Sequence, residues 1–225
     1  MKQNKLTLAC TVITAGVFAP AAAMASAILS PVSVMNSVPE NYSGCCAIER
    51  TIDQSGLTSN FVSGVTDFDT YFGTAPLHDI NFSLEWFAPS GIFTQTIDYN
   101  LGGLYLIDRA AVWNEESWGA NTVDIFTSID NITYSSVGSF SLTNHPVAFY
   151  SADILNVNDS MAQYVRFIVN GIPGDDGDGS PFNDSVSLGE VAFSVSAVPE
   201  PETYAMLLAG LGLLGFAARR RQQNA

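Results

Sequence analysis

Basic residues are scarce in this chain. Eight Lys and Arg stand against 22 Asp and Glu, a formal net charge of −14. Lys2 and Lys5 open the sequence and Arg219, Arg220 and Arg221 close it, so only Arg50, Arg109 and Arg166 fall in the body. Twenty acidic residues share that span from Ile28 to Val198, a net of −17. Such a field repels phosphate backbones and anionic lipid, so no nucleic-acid partner is expected; it favours neutral ligands and divalent cations. Cysteine is equally sparse. Cys10 sits in the first apolar run, and Cys45 and Cys46 are adjacent. With no Cys-x-x-Cys and only two histidines, a zinc site has no support. Adjacent cysteines either close a tight ring, pair between chains or stay free. Catalytic patterns are missing too. There is no Gly-x-Ser-x-Gly and no Ser/His/Asp arrangement, His78 reads as a loop residue, and His145 lies in an Asn-His-Pro turn. Twenty carboxylates single out no pair, so the chain is not expected to be an enzyme. Finally, residues 36–197 show no helical periodicity of useful length.

What is present begins with two terminal segments. Lys2 and Lys5, an apolar stretch from Leu6 to Ala23 and the small residues Ala25-Ser26-Ala27 read as a secretory signal helix over residues 1–27. At the other end, Tyr204 to Ala218 is 15 apolar or small residues followed by three arginines. A membrane-spanning helix usually needs about 20. A shorter one inserts with snorkelling flanks, and the arginines set its cytoplasmic end. This tail therefore reads as a weak, oriented, terminal membrane anchor.

Between them lie strands. Gln95, Ile97, Tyr99 and Leu101 alternate with Thr94, Thr96, Asp98 and Asn100, the period-two pattern of a half-buried strand. Gly102-Gly103 is expected to break it before a second apolar run, Leu104 to Trp113. Val123, Ile125 and Thr127 start another strand, closed by an Asp130-Asn131 turn. Tyr164 to Val169 and Val191, Phe193, Val195 add two more. Many short strands punctuated by Gly, Asn and Asp predict an all-β antiparallel jelly-roll β-sandwich over residues 36–197, flanked by the signal helix and a short C-terminal hydrophobic helix.

Two resemblances sharpen this. Val198-Pro199-Glu200-Pro201, the apolar helix and Arg219-Arg220-Arg221 resemble the PEP-CTERM sorting signal of Gram-negative bacteria over residues 198–225. That resemblance implies processing by an exosortase and removal of the tail, in a cell that makes extracellular polysaccharide. The body is similar to discoidin-like (coagulation-factor type C, galactose-binding-like) domains, roughly from Cys45 to Ser194. The stretches that carry this likeness are Thr51-Ile-Asp-Gln-Ser-Gly-Leu, Ile92 to Gly103 around Asn-Leu-Gly, Val123 to Tyr134, Ala162-Gln-Tyr-Val-Arg-Phe and Leu188-Gly-Glu-Val-Ala-Phe. Gln54, Asn131 and Gln163 depart from its pattern. The resemblance implies a jelly roll and a structural Ca²⁺ held by Asp53 and Glu190, joined by main-chain carbonyls because calcium wants six to eight oxygens. Without calcium, Asp53 stabilises a turn and Glu190 is a solvated strand residue.

Carbohydrate sites need an aromatic platform and polar groups for the hydroxyls. Trp113-Asn-Glu-Glu-Ser-Trp118 leaves a strand into a polar loop, so Trp113 and Trp118 are the candidate ligand contacts, with core packing the alternative for Trp113. Trp86 reads as core. Asp175, Asp176 and Asp178 cluster in a Gly-rich loop, but a calcium loop counted from Asp176 puts Pro181 and Ser187 where Gly and Glu are required, which excludes an EF-hand. The sequence thus reads as a secreted, exosortase-sorted, non-catalytic surface or matrix protein that binds extracellular polysaccharide. A structural biofilm or envelope protein without a pocket is the alternative.

Overall fold

A computed structural model of the chain describes residues 26–39, 41–42, 45–115, 118–143, 148–171, 185–197, 207–216 and 219. The expected signal helix, apart from Ser26 and Ala27, lies outside these residues. So do Asp175, Asp176, Asp178, His145 and the sorting residues Pro199, Glu200, Pro201, Arg220 and Arg221. The architecture is an all-β, antiparallel β-sandwich, as the strand pattern predicts. Its main sheet runs β1–β11–β5–β9–β6–β7, with β2 added against β5. These strands are β1 (Ala27–Leu29), β2 (Ser33–Asn36), β5 (Thr94–Trp113), β6 (Thr122–Ser128), β7 (Ser135–Ser141), β9 (Asp153–Asn170) and β11 (Glu190–Ala197). Short pairs of β3 (Leu77–His78) with β8 (Tyr150–Ser151), and of β4 (Trp86–Phe87) with β10 (Ser187–Leu188), close the ends. A five-residue helix, α1 (Phe68–Phe72), covers the outside. A second, short helix spans 207–216; among the described residues no helix is long and apolar enough to cross a membrane.

Two expectations change. The Gly102-Gly103 pair bends β5 instead of ending it. Gly102 has φ +80°, and a Cβ there would lie 2.8 Å from the Val32 side chain. The register against β9 shifts between Asn100 and Tyr105, so one strand of 20 residues serves two halves of the fold. Its first half pairs with β2 and the end of β9; its second half pairs with β11 and the start of β9. The glycines allow a left-handed residue without a Cβ clash, and the strand continues because both halves still find hydrogen-bonding neighbours. The sheet also starts earlier than residue 36: Ala27, Ile28 and Leu29 pair with Val195, Ser194 and Phe193.

Alternation sorts the β5 side chains. Ala110 and Val112 face the main core, built on Trp86, Ile97, Tyr99, Ile125, Phe167 and Phe193. Ala111 and Trp113 face a second core with Phe61, Phe68, Tyr71 and Tyr150, roofed by α1. The sheet is buried on both faces here, which is why the sequence reads as a continuous apolar run. Outside the cores, each body arginine has a carboxylate partner: Arg166 with Asp98 in a two-point fork (2.7 and 2.8 Å), Arg109 with Asp69 (2.5 Å) and Arg50 with Asp53 (2.9 Å). Among the described residues of the body, no arginine offers an unpaired positive charge to an anionic ligand.

Candidate functional site

Trp118 is held by a polar clamp. Asn114, fully buried, donates from Nδ2 to the carbonyls of Ala120 and Thr143 (both 2.9 Å) and accepts the Ala120 N–H (2.8 Å). The Glu115 carboxylate accepts the Trp118 N–H and the Ser187 hydroxyl (2.9 Å). These bonds fix the loop between β5 and β6 from both ends. Trp118 itself is half-buried. It meets Tyr42 edge-on (centroids 5.1 Å apart) and Phe87 (5.5 Å), and Phe82 bridges Tyr42 and Phe87. Cys45 and Cys46 form a disulfide with each other at the foot of this cluster. The Cys46 carbonyl accepts from the Phe87 N–H (3.3 Å), so the closed ring ties the Tyr42 segment to β4. Of the three fates open to these cysteines, the ring within one chain is the one adopted.

Next to Tyr42 lies a pocket of about 320 Å³, lined by Val34, Met35, Asn36, Pro39, Asn41, Ile48 and Glu49. Val34 and Ile48 make an apolar floor and Glu49 is exposed. Asn36 Nδ2 and Asn41 Oδ1 are buried atoms with no hydrogen-bond partner among the described residues. A buried amide group without a partner costs about 1–3 kcal/mol, so a donor and an acceptor are left unused in two residues that line one cavity.

Trp113, a candidate ligand contact from the sequence, is a core residue instead. It is fully buried, packs on Phe72 (centroids 5.5 Å) and donates from Nε1 to the Pro76 carbonyl (3.4 Å). Alternation along β5 turns it under α1, away from solvent.

Asp53 and Glu190 do come to one turn. Glu190 Oε2 accepts the Gln54 N–H (2.8 Å), and Gln54 takes φ +60° where the discoidin-like pattern has glycine. Glu190 is wholly buried, not solvated. Burial pushes its carboxyl well above the usual range, the Gln54 hydrogen bond opposes this, and nearby Asp53 adds to the rise. Glu190 Oε1 has no partner among the described residues, whereas the two Asp53 oxygens accept from Arg50 (2.9 Å) and the Ser55 N–H (2.9 Å). No group of three or more His, Cys, Asp or Glu placed for a metal occurs among the described residues. The orphan Glu190 oxygen fits a cation; Asp53 fits one only by releasing Arg50.

His78 lies in β3, fully buried, not in a loop. Its ring stacks on Tyr150, whose hydroxyl donates to Glu85 Oε1 (2.6 Å), and Nδ1 bonds the Asp79 carbonyl (2.8 Å). Burial lowers its pKa to about 4, against smaller opposing effects of the Asp79 carbonyl and the Asp79 and Asp53 charges, so the ring is neutral at pH 7. The ring is packed tightly against Gly56, where a Cβ would lie 2.1 Å from it.

Sequence reasoning missed Asn36, Asn41, Tyr42 and Phe82. Tyr42 stands three residues before Cys45, and Phe82 falls in an unpatterned loop; neither has a periodic signal. Their grouping depends on the Cys45–Cys46 ring and on β2 pairing with β5.

No curated protein matches the sequence. Among solved structures, a fragment named as a chitobiase from Bacteroides thetaiotaomicron superposes with a TM-score of 0.51 at 14% identity, covering 82% of this chain and 98% of that one. The C-terminal domain of a Bacteroides fragilis chitobiase gives 0.48 at 14% identity (76% and 99% covered). A Clostridium perfringens CBM32 domain, solved with GalNAc-β-1,3-galactose, gives 0.46 at 12% identity (72% and 94%). At these identities the likeness is one of fold alone, an antiparallel β-sandwich. Residues 197–221 match the PEP-CTERM protein-sorting motif, so the chain carries the sorting signal of secreted, exosortase-processed proteins of Gram-negative bacteria.

Proposed function

We propose that this protein is a non-catalytic surface or matrix module that binds a neutral extracellular polysaccharide through the Asn36–Asn41 pocket and the adjoining Tyr42–Trp118 face. The observation that carries this reading is the pocket of about 320 Å³ with an unpartnered amide donor and acceptor over an apolar floor. Sugar hydroxyls both donate and accept, so one hydroxyl-bearing ring satisfies both amides while its C–H face meets Val34 and Ile48. Trp118 and Tyr42 extend the surface along a glycan chain, since aromatic faces and edges pack well against sugar rings. The acidic body disfavours polyanions. The sorting motif at residues 197–221, a signal of secreted proteins, supports this reading.

The same reading includes a Ca²⁺ ion at the Gln54 turn, held by Glu190 with main-chain oxygens and by Asp53 once Arg50 lets go. Its role is to neutralise a buried carboxylate and fix the turn, away from the sugar.

The test is binding of the purified chain to a glycan array and to the native exopolysaccharide, with calcium and with chelator. Binding that Asn41→Ala and Trp118→Ala each weaken at least tenfold supports the reading. Absence of binding to every glycan in both buffers transfers the case to the structural matrix protein.

A further inference from the structure

A disulfide restrains the unfolded chain more the longer the loop it closes. Cys45 and Cys46 are neighbours, so their bond closes almost no loop and restrains almost none of the unfolded chain. What it holds is local backbone. Cys46 has φ +62°, the left-handed region that a residue with a Cβ enters at a cost and keeps only where its surroundings hold it. A hydrogen bond lies on each side of the ring. The Cys45 N–H donates to the Tyr42 carbonyl (3.0 Å), and the Cys46 carbonyl accepts the Phe87 N–H (3.3 Å). Through these bonds the ring sets Tyr42 beside β4, where the Tyr42, Phe82, Phe87 and Trp118 rings meet in one cluster.

The open form also has a place in the fold. The Tyr42 carbonyl lies 3.1 Å from Cys45 Sγ, and the Phe82 carbonyl 3.3 Å from Cys46 Sγ. The sulfurs of the closed ring carry no hydrogen, but two thiols at these positions would each face an acceptor. Cys45 is half-buried and Cys46 is buried, so an incoming thiolate reaches Cys45 first. The chain offers no rival partner nearby: Cys10, in the first apolar run, is its only other cysteine.

We propose that the Cys45–Cys46 ring is a redox-sensitive clasp. Closed, it seats Tyr42 against Trp118; reduced to two thiols, it lets Cys46 leave the left-handed region and frees Tyr42 from β4. The reductant is a dithiol. One of its thiolates attacks Cys45 Sγ, the S–S bond breaks, and Cys46 leaves as a thiolate that takes a proton. The second thiolate of the reductant then displaces Cys45, which is protonated in turn, and the reductant departs as a cyclic disulfide. Two electrons and two protons enter the protein. An oxidant of the disulfide class reverses the step, so the aromatic face is complete only where thiols are kept oxidised. The consequence for glycan binding rests on the function proposed above; the clasp itself does not.

The test is amide hydrogen exchange, read by NMR, of the purified chain in its oxidised form and in excess dithiothreitol, with alkylation and mass spectrometry counting the free thiols. On reduction the Cys45 and Phe87 amides are expected to exchange at least tenfold faster, while amides of the β5–β9 pair keep their rates. Unchanged rates at both amides overturn the proposal, as does a ring that stays oxidised or an acceleration throughout the β5–β9 pair. The double variant Cys45→Ser/Cys46→Ser, which cannot close the ring, is expected to exchange like the reduced wild type and to ignore the reductant; exchange like the oxidised wild type overturns the proposal. Glycan affinity separates the two readings. At least tenfold tighter binding by the oxidised chain than by the reduced one supports both, and equal affinity overturns the link between clasp and face. An oxidised chain that binds no glycan ends the proposed function, while the exchange rates still decide the clasp.

Discussion

Two polar clusters in this molecule share chemistry and differ in closure. At one, His78, Tyr150 and Glu85 are all fully buried, and their neighbours press so closely that a Cβ on Gly189 would lie 2.3 Å from the Tyr150 hydroxyl. At the other, the amides of Asn36 and Asn41 line an open pocket and leave a donor and an acceptor unused. The first looks like an active site by composition, with a histidine, a tyrosine and a carboxylate. It is a closed network, stacked and hydrogen-bonded within the packed interior. The second combines space and unused amide groups, and Asn41 brings it beside the half-buried Tyr42. Access, not residue type, separates a site from a core network.

That contrast can be broken or sharpened by measurement. The largest effect is expected in the closed half. Trp113→Ala should cost about 3–5 kcal/mol in urea unfolding by opening a cavity between Phe72 and the sheet. Any folded variant should bind glycan as before, and lost binding without lost stability would return Trp113 to the ligand site. Gly56→Ala should cost about 3 kcal/mol, because the buried His78 ring cannot step aside.

Acid should act on the same cluster. His78 has a folded pKa of about 4, below its ordinary 6.5, so the unfolded chain takes up a proton between those values that the folded chain refuses. Stability should therefore fall as pH drops from 6.5 to 4, by up to about 3 kcal/mol. Thermal melts of His78→Gln should lose that dependence. Glu190 has the opposite sign. Its folded pKa is raised, so its contribution is complete below pH 4.5 and is lost as pH rises through the folded value. Calcium should offset this loss. At pH 8 the wild type should melt higher with calcium than with chelator, and Glu190→Gln should melt higher in chelator yet ignore calcium. Equal melting of the wild type in both buffers would remove calcium from the turn.

The smallest stability changes belong to the open half. Trp118→Ala and Asn36→Ala should each shift unfolding by less than about 1 kcal/mol, since Trp118 is half-buried and Asn36 Nδ2 has no partner to lose. Their effect should appear in glycan affinity. Large destabilisation with unchanged affinity would make the pocket another closed network.

Much of the fold was readable from residue order. The alternation through Ile97, Tyr99 and Leu101 and the turn at Asp130-Asn131 appear as expected, the latter with Asp130 Oδ1 accepting the N–H groups of Ile132 and Thr133. Gly102-Gly103 misleads because a glycine pair that ends a strand and one that bends it are the same letters; the choice lies with Val32 and β9 across the gap. Trp113 carries the same ambiguity. Alternation assigns it a face, but only the presence of α1 over that face makes it core.

Local chemistry, then, determined what depends on neighbours in the chain: strand period, turns, the acidic balance of the body, and the sorting tail from Pro199 to Arg221. Tertiary structure alone decided what depends on distant partners. It brought Gln54 to Glu190 across 136 residues, closed His78 against Tyr150, set the Cys46 carbonyl against the Phe87 N–H, and put Asn36 and Asn41 around one pocket. Burial and hydrogen-bond satisfaction are properties of the packed whole, so no single segment can state them.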